Sequence, residues 1–389
     1  KFNRILLVRK YSFQVQEKII EKTDTLLLEE KLAGAMGSPV DFCNEIIREA
    51  IRIEASDIHV GVFDGGVGLR FRKDGVFINY SLKKVSKPFE CGARLKVLAR
   101  MRTDIHNLPQ DGRFRFENEG SYVDIRASVI PLRVGEHFVL RLLKNYKTPP
   151  SLGELGFSER SCKILNDALG QTQGMILVTG PTGSGKTTTL YSLLNQIDRS
   201  QRSVVTIEDP IEYVIPQVRQ MQVNQKIGLG FTGGLRALLR QDPDVIMIGE
   251  IRDVETAMTA ASAALTGHLV ISTLHTKDAC GAINRLLDMG VDKHILSATL
   301  LASVSQRLVR KVTPEGTYGG RVVVHEELVI DDFLRKEIIQ RSNISQKRIP
   351  IDHGFINIQE RGEELVRLGI TTREEIARVL GTDNQADKE

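Results

Sequence analysis

The chain has 389 residues, of which 41% are hydrophobic, 26% charged and 5% aromatic, with no Trp; this is the balance of a globular protein of two or three domains and excludes a disordered or fibrous one. A formal net charge of +4 is small and spread along the chain, so neither a basic footprint nor an aromatic stacking platform for nucleic acid is expected. The four cysteines, Cys43, Cys91, Cys162 and Cys280, lie far apart with no CxxC pair, which argues against a local zinc site or a disulfide framework and for buried free thiols.

The chain opens at Lys1 rather than Met, which reads as a fragment lacking its natural N-terminus. Residues 1–37 are expected to be an extension or linker, with a strand at Ile5–Val8 and one or two short helices between Val15 and Leu32. Ser38-Pro39 then starts an amphipathic helix whose stripe is Val40, Ile46, Ile47, Ala50 and Ile51. Alternating segments follow at Ile58–Val62 and Gly68–Arg72, with a tight turn at Lys73-Asp74-Gly75. A basic helix over 91–102 and further strands around Phe114–Phe116, Val123–Arg126 and His137–Leu142 complete residues 38–146 as an α+β domain, one helical layer on a mostly antiparallel sheet.

Residues 147–152, with Pro149-Pro150, read as an interdomain linker. Over 153–312 apolar strands at 175–179, 204–207, 220–223, 245–249 and 269–273 alternate with helices, the pattern of a parallel sheet built of crossover units. Residues 313–389 begin with a Gly-rich loop and are expected to form a helical region, with helices near 331–341, 357–368 and 372–380, ending in a polar, disordered tail.

The chemistry gathers at the strand ends. Met175–Val178 leads into Gly180-Pro181-Thr182-Gly183-Ser184-Gly185-Lys186-Thr187, and a helix-like run opens with Thr188. This strand, glycine loop and helix is the setting of a P-loop, in which backbone amides and a helix N-terminus face phosphate oxygens. Lys186 would reach the β- and γ-phosphates, and the Thr187 hydroxyl would ligate Mg²⁺. Val245–Ile248 ends in Gly249-Glu250, where the acid would hold Mg²⁺ or polarise water. Glu208-Asp209-Pro210-Ile211-Glu212 puts three carboxylates at another strand end, and either Glu212 or Glu208 would orient the attacking water. Thr273-Leu274-His275-Thr276 closes a further strand, with His275 placed to contact or sense the γ-phosphate and a second histidine, His268, before the same strand.

These boxes, with Arg240–Asp244 to Arg252-Asp253, Ala55–His59, Leu108–Arg113, Val123–Arg126 and Ser305–Arg310, resemble the secretion ATPase superfamily, the motors of type II secretion and type IV pilus assembly, over roughly residues 38–380. The resemblance implies a PAS-like N2 domain joined to a RecA-like P-loop ATPase domain, ATP with Mg²⁺ bound between them, and a cytoplasmic homo-hexamer peripheral to an inner-membrane platform. It implies Glu250 as the Walker B acid, Glu212 as the activator of water and His275 as sensor. Arg126 and Arg141 would reach the phosphates from N2, and Arg236, Arg240 and Arg252 would lie near the site or a subunit interface. Related readings are a pilus retraction motor and a P-loop DNA translocase. Assembly-type members usually carry a tetracysteine module after the Arg-Leu-Val-Arg segment; here no cysteine follows Cys280, so no zinc is expected.

Overall fold

The computed structural model describes residues 38–63, 66–83, 88–143, 149–341, 343–349 and 354–381. The expected extension 1–37, the first residues of the linker and the tail beyond Gly381 lie outside the described residues. The chain divides into two compact units, Lys1–Tyr146 with Thr313–Gly320, and Lys147–Val312 with Arg321–Glu389.

In the first unit, helix α1 (Pro39–Arg52) starts where expected. The Ser38 side chain accepts from the Asp41 amide and Pro39 occupies the first turn, where a missing N–H costs nothing. Its buried stripe is Phe42, Cys43, Ile46, Ile47 and Ala50, while Val40 in the first turn is 43% exposed. Strands β1 (Asp57–Phe63), β2 (Gly66–Lys73), β3 (Val76–Lys83), β4 (Gln110–Asn118), β5 (Ser121–Pro131) and β6 (Glu136–Leu143) form one sheet in the order β3-β2-β1-β6-β5-β4, antiparallel throughout. The β2–β3 turn has Asp74 and Gly75 at φ 49° and 83°, the left-handed pair of a tight hairpin turn. Helix α2 (Pro88–Leu98) runs three to four residues ahead of its expected span and has ended before Arg100, which takes φ 57°. Both helices share one apolar core with the alternate residues of β1, β2, β5 and β6.

The second unit holds a seven-stranded sheet in the order β13 (Tyr318–Val329), β12 (Leu300–Val312), β7 (Gly174–Thr179), β11 (Leu269–Leu274), β10 (Val245–Ile248), β8 (Val204–Glu208) and β9 (Arg219–Gln222). Strands β7, β8, β9, β10, β11 and β12 pair in parallel. Successive residues of these strands face opposite layers, as the pleat demands. Ile176, Val178, Val245, Met247, Leu269 and Ile271 pack with α3 (Leu152–Leu155), α4 (Glu159–Leu169) and α5 (Lys186–Gln196). Met175, Leu177, Ile246, Ile248 and Val270 pack with α6 (Phe231–Leu238), α7 (Val254–Leu265), α8 (Ala279–Asp288) and α9 (Lys293–Thr299).

The expected helical C-terminal region contains its helices, α10 (Asp332–Gln340), α11 (Ile358–Arg367) and α12 (Arg373–Leu380). Ahead of them stands a strand that the sequence pattern does not announce, β13 (Tyr318–Val329), and β12 before it is likewise longer than any segment expected there. A small core of Val309, Val322, Val324, Leu365 and Ile376 binds the two strands to α11 and α12. Buried Glu326 on β13 accepts from the Ala279 amide at 2.8 Å, the Ile358 amide at 3.0 Å and the Gln346 side chain at 2.7 Å. One carboxylate thus serves the N-termini of α8 and α11 together. Cys43, Cys91 and Cys280 are buried and Cys162 half-buried, all as free thiols.

Candidate functional site

Because β7, β8, β10 and β11 are parallel neighbours, their carboxyl ends open on one edge of the sheet, and the loops that leave them carry the candidate side chains. From β7 the chain enters Gly180–Gly185 and turns into α5 at Lys186, so Lys186, Thr187 and Thr188 form the first turn. Gly180, Gly183 and Gly185 sit at φ 145°, 78° and 87°, a path L side chains resist. Gly185 caps α5 with no side-chain hydrogen bond to its first amides, and the Ser184 hydroxyl is buried without a partner among the described residues. A helix start left uncapped beside an orphan hydroxyl is a cradle with donors to spare for an anion.

The Lys186 ammonium donates to the Gly180 and Pro181 carbonyls at 2.8 and 2.9 Å. Burial lowers its pKa to about 8, against the raising field of Glu250 and with that of Arg307. A partly desolvated cation whose contacts are neutral oxygens gains from a phosphate. These residues fit a nucleoside triphosphate.

Glu250 follows β10 and is largely shielded. Arg252 pairs with it at 2.6 Å and the His275 ring nitrogen lies 3.5 Å away. Hydroxyls at the strand ends hold these loops in place: Thr273 Oγ1 donates to the Gly249 carbonyl at 2.7 Å, Ser272 Oγ to Ile248 at 2.8 Å, and Thr179 Oγ1 accepts from the Thr276 amide at 2.9 Å. Lys186, Glu250, Arg252 and His275 are therefore one electrostatic group. His268 stands at the other end of β11, its ring 3.0 Å from the Ala263 carbonyl, and belongs to the end of α7.

Burial separates the two glutamates that spacing left equivalent. Glu208 is 3% exposed, and its carboxyl takes hydrogen bonds from Tyr191, Thr206 and Gln220. Burial pushes its pKa up. A side chain so enclosed braces the loop and is poorly placed to meet water. Glu212 is less buried, and its amide donates to the Tyr191 hydroxyl at 3.3 Å, which ties this loop to α5. Tyr191, on α5 with its ring edge-on to Tyr213 at 4.5 Å, has no spacing that marks it in the sequence. Gln306 on β12, inside the Ser305–Arg310 box but given no role there, lies buried against the P-loop.

The remaining arginines are dispersed. Arg236 pairs with Glu255 at 2.8 Å and Arg240 donates to the Arg236 carbonyl at 3.0 Å, both exposed on and just after α6. Arg126 and Arg141 belong to the first unit, directly opposite one another on β5 and β6, with Arg141 held by Asp57 at 2.9 Å. Among the described residues no helix is long and apolar enough to cross a membrane.

Residues 35–378 match the family model described as type II/IV secretion system protein. The chain is 40% identical over 387 residues to the type II secretion system protein HxcR of Pseudomonas aeruginosa, covering 94% of this chain and 81% of that one. It is 37% identical over 408 residues to the type II secretion system ATPase E of Vibrio cholerae, covering 94% and 79%. A crystal structure of the pilus retraction motor PilT with bound ADP is similar with a TM-score of 0.66 at 32% identity, covering 88% of this chain and 97% of that one. The α/β architecture is accordingly that of the secretion ATPases, with a RecA-like nucleotide-binding unit. With a P-loop at the sheet edge, acidic strand ends beside it and a match running through both units, the chain belongs to the type II/IV secretion system protein family.

Proposed function

We propose that this secretion-family ATPase works as a cytoplasmic homo-hexamer, peripheral to the inner membrane, and turns ATP hydrolysis into domain motion that drives a type II secretion or type IV pilus platform. The observation that carries the reading is the uncapped start of α5, where Lys186 lies desolvated beside Glu250. Amides of Gly183–Thr188 and the Lys186 ammonium bind the phosphates. Thr187 and Glu250 would hold Mg²⁺, which neutralises phosphate charge when bound. Glu212 orients the attacking water, and His275 registers the γ-phosphate through Glu250. Arg126 and Arg141 of the first unit reach the phosphates on closure, and Arg236, Arg240 and Arg252 act at the site or at a subunit boundary, where guanidinium forks match phosphate oxygens. A pilus retraction role is the second reading, favoured by the likeness to PilT.

Phosphate release by the parent and by Glu212→Gln tests the chemistry. A loss on the order of a hundredfold with nucleotide binding retained is expected when the group that handles the water is neutralised. Equal rates would remove Glu212 from the reaction, and a parent that binds ATP without turnover when assembled would be a nucleotide-gated scaffold.

A further inference from the structure

The P-loop is gripped from behind by a side chain of the neighbouring strand. β12 lies beside β7, with Ser305 opposite Thr179, the last residue before the loop. The next side chain, Gln306, is fully buried. Its Nε2 donates to the Ser184 carbonyl at 2.7 Å and its Oε1 accepts from the Thr189 hydroxyl at 2.9 Å. The two partners fix the amide's orientation, since a carbonyl only accepts. β12 also comes so close that a Cβ on Gly180 would lie 2.5 Å from the Gln306 carbonyl oxygen.

The consequence lies in the peptide unit between Ser184 and Gly185. A trans peptide is planar, with C=O and the following N–H on opposite sides. Holding the Ser184 carbonyl toward Gln306 therefore turns the Gly185 amide away from β12. Thr189, one turn into α5, is held by the same side chain, so the loop and the helix start share one anchor. Glutamine alone suits this position, because glutamate of the same length cannot donate to Ser184 and asparagine is one methylene shorter.

We propose that Gln306 is a positioning residue of the nucleotide site, which presets the Gly185 amide for phosphate and so sets nucleotide affinity rather than the hydrolytic step. The inference rests on the reading of Gly180–Thr188 as the phosphate-binding loop. Its test compares the parent, Lys186→Ala, Gln306→Glu and Thr189→Val by fluorescent-ADP binding, ATP turnover and thermal melting. Gln306→Glu should raise both the ADP Kd and the KM for ATP about tenfold, the worth of one buried hydrogen bond, while kcat stays within about threefold. Thr189→Val, which frees the other end of the amide, should raise KM about threefold. A merely structural role would lower the active fraction, and with it kcat, and leave KM unmoved. If Lys186→Ala abolishes binding while both other variants bind ADP within about twofold of the parent, the role of Gln306 is overturned and the phosphate loop stands. If the parent itself binds no nucleotide, both fall together.

Discussion

Replacing Tyr191 by Phe removes one oxygen and nothing else, which makes it a sharp probe of the brace behind Glu212. The ring and its edge-on contact with Tyr213 survive, so the apolar packing is unchanged. Two hydrogen bonds are lost, the donation to buried Glu208 and the acceptance from the Glu212 amide. An enclosed oxygen left without its donor costs about 1–3 kcal/mol, and the half-buried amide about 0.5–1.5 kcal/mol, of which water recovers a part. The sum is about 2–3 kcal/mol, a fall in Tm of roughly 5–10 °C for a unit of this size. The effect depends on pH. Burial already raises the Glu208 carboxyl above its unfolded value, and losing a donor raises it further. Such a group holds its proton in the folded state at low pH and weakens the fold as pH rises through the folded value. The destabilisation should therefore grow as the pH is raised from the ordinary carboxylate range when followed by calorimetry, and kcat should fall while KM for ATP is kept. A Tm within about 1 °C of the parent at pH 8, with unchanged kcat, would refute the brace.

Lys186, with a pKa near 8 in the free protein, should be largely neutral at pH 9 until a phosphate restores its charge; ADP binding at that pH should take up about one proton, read by titration calorimetry in buffers of different ionisation enthalpy, whereas Lys186→Arg should take up none. Gly180→Ala and Gly183→Ala separate crowding from backbone strain. The first adds a Cβ 2.5 Å from the Gln306 oxygen and 2.7 Å from Ser184 Oγ, while the second meets nothing within 4 Å. Thermal melts should show about 1–2 kcal/mol of strain for Gly183→Ala and at least about 1–3 kcal/mol more for Gly180→Ala. Glu375 is almost wholly buried and held by Arg310 at 2.9 Å and Arg378 at 2.6 Å; Glu375→Ala should cost about 3 kcal/mol in denaturant unfolding, since it takes one shared carboxylate from two guanidinium groups. Burial pushes that carboxyl up, but Arg378 and Arg310 outweigh it and hold it low, so the parent keeps this contribution above the usual carboxylate pKa and loses it in acid.

Much of the site was legible because its chemistry sits where strands stop. Met175–Val178, Val245–Ile248 and Leu269–Ile271 are apolar runs broken by hydroxyls, glycine or charge, and such runs locate a buried parallel sheet and its edge together. The strands β12 and β13 escaped for the opposite reason. Ser303, Ser305 and Gln306, and then His325, Glu326 and Glu327, are buried polar residues in mid-strand. They look like loop in the sequence and are tolerable only because partners such as the Ala279 carbonyl, the Ser184 carbonyl and the Ile358 amide reach them from elsewhere in the chain. Spacing alone left Glu208 and Glu212 open and only the family resemblance singled out Glu212, since enclosure by Tyr191 and Gln220 is a fact of tertiary structure.

The double duty of Glu326 bears on how this polypeptide can be cut. A protein engineer trimming it before Ile358 would delete one of the two helices that share that acid, and leave its oxygen bare at the root of the other. Through that acid α11 is wired into the segment that follows His275, and it cannot be shed or swapped as a detachable cap.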